Sequence, residues 1–138
     1  MRTVNGLVLD TDAASFLFNQ DPIRAPRYRA HTDGRTLYLP FVVIAELLFG
    51  AEIRGWGTER RLELEEFLQR HAMIQSDPDI CASWATIRTQ AQRQGRVIER
   101  QDAWVAAVAV SLNLPLVTHN ARHFAGVPLL QIITEPDR

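Results

Sequence analysis

Lysine is absent from the 138 residues, cysteine occurs once, and no apolar stretch is long enough to cross a bilayer. The single cysteine, Cys81, excludes an internal disulfide and a cysteine-rich zinc site, and it suits a reducing compartment. The longest apolar run, residues 103–110, falls far short of a membrane span. "MRTVNGLVLD" has neither the apolar segment nor the cleavage site of a secretory leader. No Gly-x-x-x-x-Gly-Lys-Ser/Thr loop, Gly-x-Ser-x-Gly elbow or Cys–His nucleophile arrangement appears. These absences leave a soluble, cytoplasmic protein as the expectation, without P-loop or covalent-nucleophile chemistry.

With lysine missing, all 15 basic residues are arginine, against 16 acids. A GC-rich genome would produce that bias, and arginine also grips phosphate through its planar fork. The net charge of −1 does not decide for or against nucleic acid. Its distribution says more, because "RTQAQRQGRVIER" (88–100) carries Arg88, Arg93, Arg96 and Arg100 against one acid, Glu99.

Hydrophobic residues make up 46 % of the chain, enough for one folded domain over 1–138. "GLVLDT" (6–11) reads as a buried strand, and "DAASFLFN" as a helix that Asp12 would cap. Residues 20–35 read as an irregular connection with room for a short helix, and "TLYLP" (36–40) as a strand. Helices are predicted over 41–57, over 58–72 with Thr58 as cap, and over 77–95 with Asp77 as cap and Pro78 at the first position. "MIQS" is a short strand, "DAWVAAVAVSLN" an apolar helix, "LPLVT" (114–118) a strand, "NARHF" a helical turn and "LLQIIT" (129–134) a last strand. Short strands alternating with helices predict an α/β fold with a mostly parallel sheet covered on both faces. Sites in such sheets gather outside the carboxyl ends of the strands.

Three acids stand out against that frame. Asp10 closes the first strand, Glu46 has Val42, Val43, Phe49 and Gly50 as helical neighbours, and Asp102 heads an apolar helix. Singly, each has an ordinary structural explanation: a turn residue, a paired buried acid, and a first-turn aspartate favoured by the helix dipole. Gathered together they would repel one another, and a divalent cation removes that conflict. Hard oxygen ligands suit Mg²⁺ or Mn²⁺, which share coordination with water and substrate phosphate. The residues therefore point to metal-dependent phosphoryl transfer or hydrolysis. His119 and His123 are spaced four apart, but no third ligand accompanies them, and a surface or loop role is expected. Trp104 and the alanines at 103, 106, 107 and 109 read as core or dimer packing.

"VLDTD", "VVIAELLFGA", "RQDAWVAAVA" and "LPLVTHNARHF", taken in order, resemble the PIN-domain ribonucleases, and most of all the VapC toxins of type II toxin–antitoxin pairs. Each motif alone is weak; four at domain-wide spacing are specific. The resemblance implies a three-layer α/β/α sandwich with a short parallel sheet. It implies that Asp10, Glu46 and Asp102 hold Mg²⁺ (or Mn²⁺), with Thr11 and Thr118 as small supports at strand ends. Asn120 stands where many of these domains carry a fourth acid, which favours one metal ion over two. It further implies RNA as substrate, a homodimer, a bacterial setting, and a VapB-like antitoxin whose C-terminal segment occupies the groove near the acids. From charge placement, Arg88, Arg93, Arg96, Arg100 and Arg122 are the candidate RNA contacts. Two alternatives stay open: a PIN-like module that has lost catalysis and only binds a partner, and a receiver-like regulatory domain, which the missing lysine disfavours.

Overall fold

The computed structural model describes residues 5–138; the first four residues of the N-terminal reading lie outside them. Five strands form one parallel sheet in the order β3-β2-β1-β4-β5. They are β1 (Gly6–Leu9), β2 (Thr36–Pro40), β3 (Ala72–Ile74), β4 (Leu116–Val117) and β5 (Ile132–Ile133). The receiver-like alternative fails here, since that fold strings its strands 2-1-3-4-5.

Helices α1 (Thr11–Asn19) and α2 (Arg24–Thr32) connect β1 to β2, and α3 (Phe41–Ile53) with α4 (Thr58–Gln69) connect β2 to β3. Helices α5 (Pro78–Arg93) and α6 (Arg100–Leu112) carry the chain back across the sheet to β4. The first two connections step one way along the sheet and the third steps back. Right-handed crossovers therefore lay α1–α4 on one face and α5–α6 on the other. The expected α/β/α sandwich is the result.

Strand β1 sits at the centre, and Leu7, Val8 and Leu9 are wholly buried. That is why "GLVL" reads as a continuous apolar run and not as an alternation. Helix α6 explains its own sequence in the same way. Ala103, Ala106, Ala107 and Ala109 are buried, and their small side chains bring the helix close to α5 and the sheet. Trp104 packs within the chain, stacked on Trp84 at 4.9 Å between ring centroids, with Phe41 edge-on.

Several local expectations need correction. Residues 24–32 form a full nine-residue helix. Its buried face is only Ala25, Tyr28 and Thr32, too narrow a stripe to stand out among four charged or imidazole side chains. Helix α3 ends at Ile53 and α4 at Gln69, each earlier than the periodicity suggests. Gly57, not Thr58, occupies the cap position of α4, and no side chain caps it. Helix α6 begins at Arg100, two residues before Asp102. Asp77 does cap α5, accepting from the Ile80 amide at 2.8 Å.

The C-terminal tail is tied to α2. Arg24 holds Asp137 with two hydrogen bonds, at 2.7 and 3.1 Å, which depresses that carboxyl to about 2. His31 meets Glu135 at 2.8 Å. The Tyr28 hydroxyl lies 2.7 Å from His119 Nδ1 and accepts from the Glu135 amide. His119 also reaches Asp137 at 3.3 Å. His119 lies in the loop after β4, as expected, but not on the surface: its ring is a half-buried strut, edge-on to Phe16.

Candidate active site

The connections diverge between β1 and β4, so the crevice opens at the carboxyl ends of these neighbouring strands. Asp10 follows β1 directly, and Thr118 follows β4. Their backbones are already joined, the Asp10 amide donating to the Val117 carbonyl at 3.1 Å. Side chains complete the joint. Thr118 Oγ1 donates to Asp10 Oδ2 at 2.5 Å and accepts from the Asn120 amide at 2.9 Å. Asp10 Oδ1 accepts from the Ala13 amide at 2.9 Å. Asp10, and not Asp12, is therefore the N-cap of α1. Asp10 thus takes over the capping expected of Asp12 while keeping its place at the crevice.

Asp12, released from capping, turns to the crevice. Its Oδ2 accepts a 2.5 Å hydrogen bond from Asn120 Nδ2. A cavity of about 240 Å³ lies here, and five carboxylates line it: Asp10, Asp12, Glu46, Glu99 and Asp102. Asn120, His123, Gln101 and Thr11 share the wall. The acids singled out in the sequence thus converge, although they come from β1, α3 and α6. Asp12 and Glu99 were missed: the first was spent as a cap, and the second reads as a charge in a basic segment. A chain-order signal did exist for Asp12, since "DTD" offers two acids where one cap suffices.

Among the described residues, no arginine lines this cavity. Burial, the largest influence, drives Asp10 up to about 6, with the Asp12 and Asp102 charges adding to the rise. Its hydrogen bonds to Thr118 and Ala13 only partly oppose that. Asp102 is also pushed up by burial, while His123 opposes the shift. His123 Nδ1 stands 3.3 Å from Asp102 Oδ2. The histidines of the i, i+4 pair accordingly part company, one facing the tail and the other facing the acids.

Among the described residues, no three Asp, Glu, His or Cys side chains already form a closed metal cage. The donor set nonetheless fits a hard divalent cation. Mg²⁺ uses one or two carboxylates and keeps several waters, and here a desolvated aspartate faces other carboxylates with no arginine among the described residues of the wall.

Arginine placement is uneven. Arg88 lies over the Trp84 ring, 5.0 Å from its centroid, while Arg93 and Arg100 are exposed at the ends of α5 and α6. Arg96 donates to the carbonyls of Ala125 and Gly126, bracing the loop before α6 against the loop after the 3-10 turn 121–124. Arg96 and Arg122 line a second cavity, which adjoins the first through His123.

A family model described as the PIN domain matches residues 7–128. A "VapC ribonuclease Y4jK" of Sinorhizobium fredii is 33 % identical over 132 residues, covering 89 % of this chain and 93 % of the relative. The chain belongs to the VapC branch of the PIN-domain family. A "Ribonuclease VapC1" of Haemophilus influenzae is 31 % identical over 126 residues, covering 90 % and 93 % of the two chains. Among solved structures, VapBC-1 from nontypeable Haemophilus influenzae superposes with a TM-score of 0.76 at 28 % identity, over 94 % of this chain and 97 % of that one. In this PIN domain the carboxylate cavity sits at the switch point of the sheet, and among the described residues no helix is long and apolar enough to cross a membrane.

The charge balance at Asp10 makes a prediction for the cation-free protein. An unfolded aspartate loses its proton near 3.8, and folded Asp10 near 6. Between those values the folded state binds more protons, so stability falls as pH rises from about 4 to about 6. Above that window the cost is constant, at about 3 kcal/mol. Asp10→Asn keeps an acceptor for Ala13 and removes the charge. It should stabilise the chelated protein at pH 7.5 by about 1–3 kcal/mol in urea unfolding. The difference from the parent should shrink as pH falls toward 4; a variant less stable than the parent at pH 7.5 contradicts the analysis.

Proposed function

We propose that this protein is an endoribonuclease toxin whose carboxylate cavity hydrolyses RNA phosphodiesters with a divalent cation, Mg²⁺ or Mn²⁺, held by Asp10, Asp102 and Glu46. The ribonuclease class follows from membership of the VapC branch. The observation that carries the mechanism is the desolvated Asp10 carboxylate, fixed by two hydrogen bonds, facing acids and, among the described residues, no arginine. When bound, the cation lowers the pKa of water and neutralises charge that develops on phosphate.

The chain's own groups divide the remaining work. Thr118 and the Ala13 amide fix both oxygens of Asp10, so that carboxylate cannot swing away. Glu46, half-exposed and without a hydrogen-bond partner among the described residues, is free to accept the proton of the attacking water at a carboxylate oxygen. Asn120 donates to Asp12 and keeps its carbonyl oxygen for the cavity. That role weighs against a module that has lost catalysis: the missing fourth charge is replaced by a group that orients an existing acid. Among the candidate arginines, Arg122 and Arg100 each adjoin residues of the cavity wall, His123 for the one and Glu99 and Gln101 for the other, and Arg88 and Arg93 would serve a more distant stretch of RNA. Arg96 is engaged by backbone carbonyls.

The natural partner is a VapB-like antitoxin. A groove of about 520 Å³ runs from Asp12 and Glu46 to Phe49, Ile53 and Trp56. Phe49 and Ile53 are 65 % and 70 % exposed, an apolar strip beside an acidic pocket. We assign the antitoxin's C-terminal segment to this strip, and a homodimer in the bacterial cytoplasm as the working assembly.

Asp102→Asn should reduce cleavage of single-stranded RNA by at least about a hundredfold. The same variant should lose most of the thermal stabilisation that MnCl₂ gives the parent. Cleavage at the parent's rate would remove Asp102 from the mechanism. Ile53→Asp should cleave RNA like the parent yet escape inhibition by the cognate antitoxin, its affinity falling about tenfold or more. Undiminished inhibition would place the antitoxin elsewhere.

A further inference from the structure

The second cavity, of about 220 Å³, has no role in the mechanism above. Three observations bear on it. First, it shares His123 with the carboxylate cavity, so the two are separated by one imidazole ring, itself 3.3 Å from Asp102. Second, its walls are mixed. Buried Ile87 and Ile98 form an apolar floor, and Val97, 93 % exposed, stands at its edge with no packing to explain it. Third, its polar groups are unspent. Gln90 and Arg122 make no side-chain hydrogen bond or ion pair among the described residues. Arg96 is different, since its guanidinium lies against the backbone of Ala125 and Gly126 and forms wall.

The backbone supports this construction. Gly126 has φ +79, and a Cβ there would collide with the Arg96 guanidinium. The cavity continues past Ile87, Gln90 and Pro128 into a shallower one, bordered by Leu129. Leu129 is 87 % exposed and held at φ +66, a strained geometry for a branched side chain.

We infer that this cavity is the subsite for the nucleobase next to the scissile phosphate, with Gln90 reading the base edge and Arg122 holding the adjoining phosphate. The inference rests on the ribonuclease reading and specifies its substrate selection. A phosphate lodged among the carboxylates has a nucleoside on either side, and the cavity across His123 receives one of them. Apolar walls suit the faces of an unstacked base, and a carboxamide offers a donor and an acceptor to its edge. The charge also distinguishes RNA from a peptide. A segment cationic enough to enter the carboxylate cavity would meet Arg96 and Arg122 here, whereas a polyanion meets the sign it needs.

The test uses the full-length protein and short single-stranded RNAs that differ only at the two nucleotides flanking the cleaved bond. The parent should favour one base at one flank by about tenfold or more, and Gln90→Leu should flatten that preference with kcat nearly kept. Arg122→Ala, on an exposed residue that folding does not need, should raise KM and lower the salt slope of binding by about one. A parent indifferent to both flanking bases, or a Gln90→Leu protein with the parent's preference, overturns the subsite. So does a pair of variants that keep the RNA profile but resist the antitoxin, which would make the cavity a peptide site. A parent that cleaves no RNA removes the ribonuclease reading itself, and the subsite with it.

Discussion

One desolvated carboxylate organises this molecule. Asp10 ends the central strand, caps the first helix and accepts the Thr118 hydroxyl, so β1, α1 and β4 meet at its two oxygens. Hydrogen bonds of this kind normally keep a buried aspartate ionised. Here burial outweighs them, because Asp12 and Asp102 add negative charge and no arginine among the described residues lines the cavity. A fold that needed only a cap would put it in water. This one holds an acid where it is costly, which is intelligible when a cation completes the group.

The rest of the structure keeps that acid still. The sheet is narrow, and β4 has only two residues, so the position of Thr118 depends on what lies behind it. Behind it stand Tyr28 and His119, tied through Asp137 to Arg24 and backed by the Glu135 amide. On the other side, Arg96 braces the loop that launches α6, and α6 is packed on its alanines against α5. Asp102 therefore projects from a rigid helix start and Asp10 from a rigid strand end. Preorganisation of this kind makes carboxylates useful before any substrate arrives.

Much of this was legible in the sequence, and the failures have definite causes. Parallel strands and the three acids Asp10, Glu46 and Asp102, which line one cavity, could be read because buried strands are continuously apolar and an acid at such a boundary is conspicuous. The capping assignment went to Asp12 because, in sequence, two aspartates one residue apart are equivalent. Only the β4 partner Thr118 breaks that tie, and it is 108 residues away. Helix α2 was obscured because its buried face is three residues wide. Glu99 carries no sequence signal, and the spacing of His123 from His119 points to a pair that the fold separates. His123 and Glu99 enter the site because the 3-10 turn and the α6 cap happen to face the crevice, which is a matter of tertiary placement. Arginine density misled in part: of the five candidates, Arg96 serves the backbone and Arg88 lies over a tryptophan ring.

A cation among these acids is what the whole arrangement requires. Diffraction from crystals of the full-length protein grown with MnCl₂, measured for the anomalous signal of manganese, tests it directly. The strongest anomalous peak should fall about 2.1 Å from a carboxylate oxygen of Asp10 or Asp102, with waters filling the remaining positions. A manganese-loaded crystal with no peak in the carboxylate cavity, or with its strongest peak elsewhere on the chain, would contradict the account.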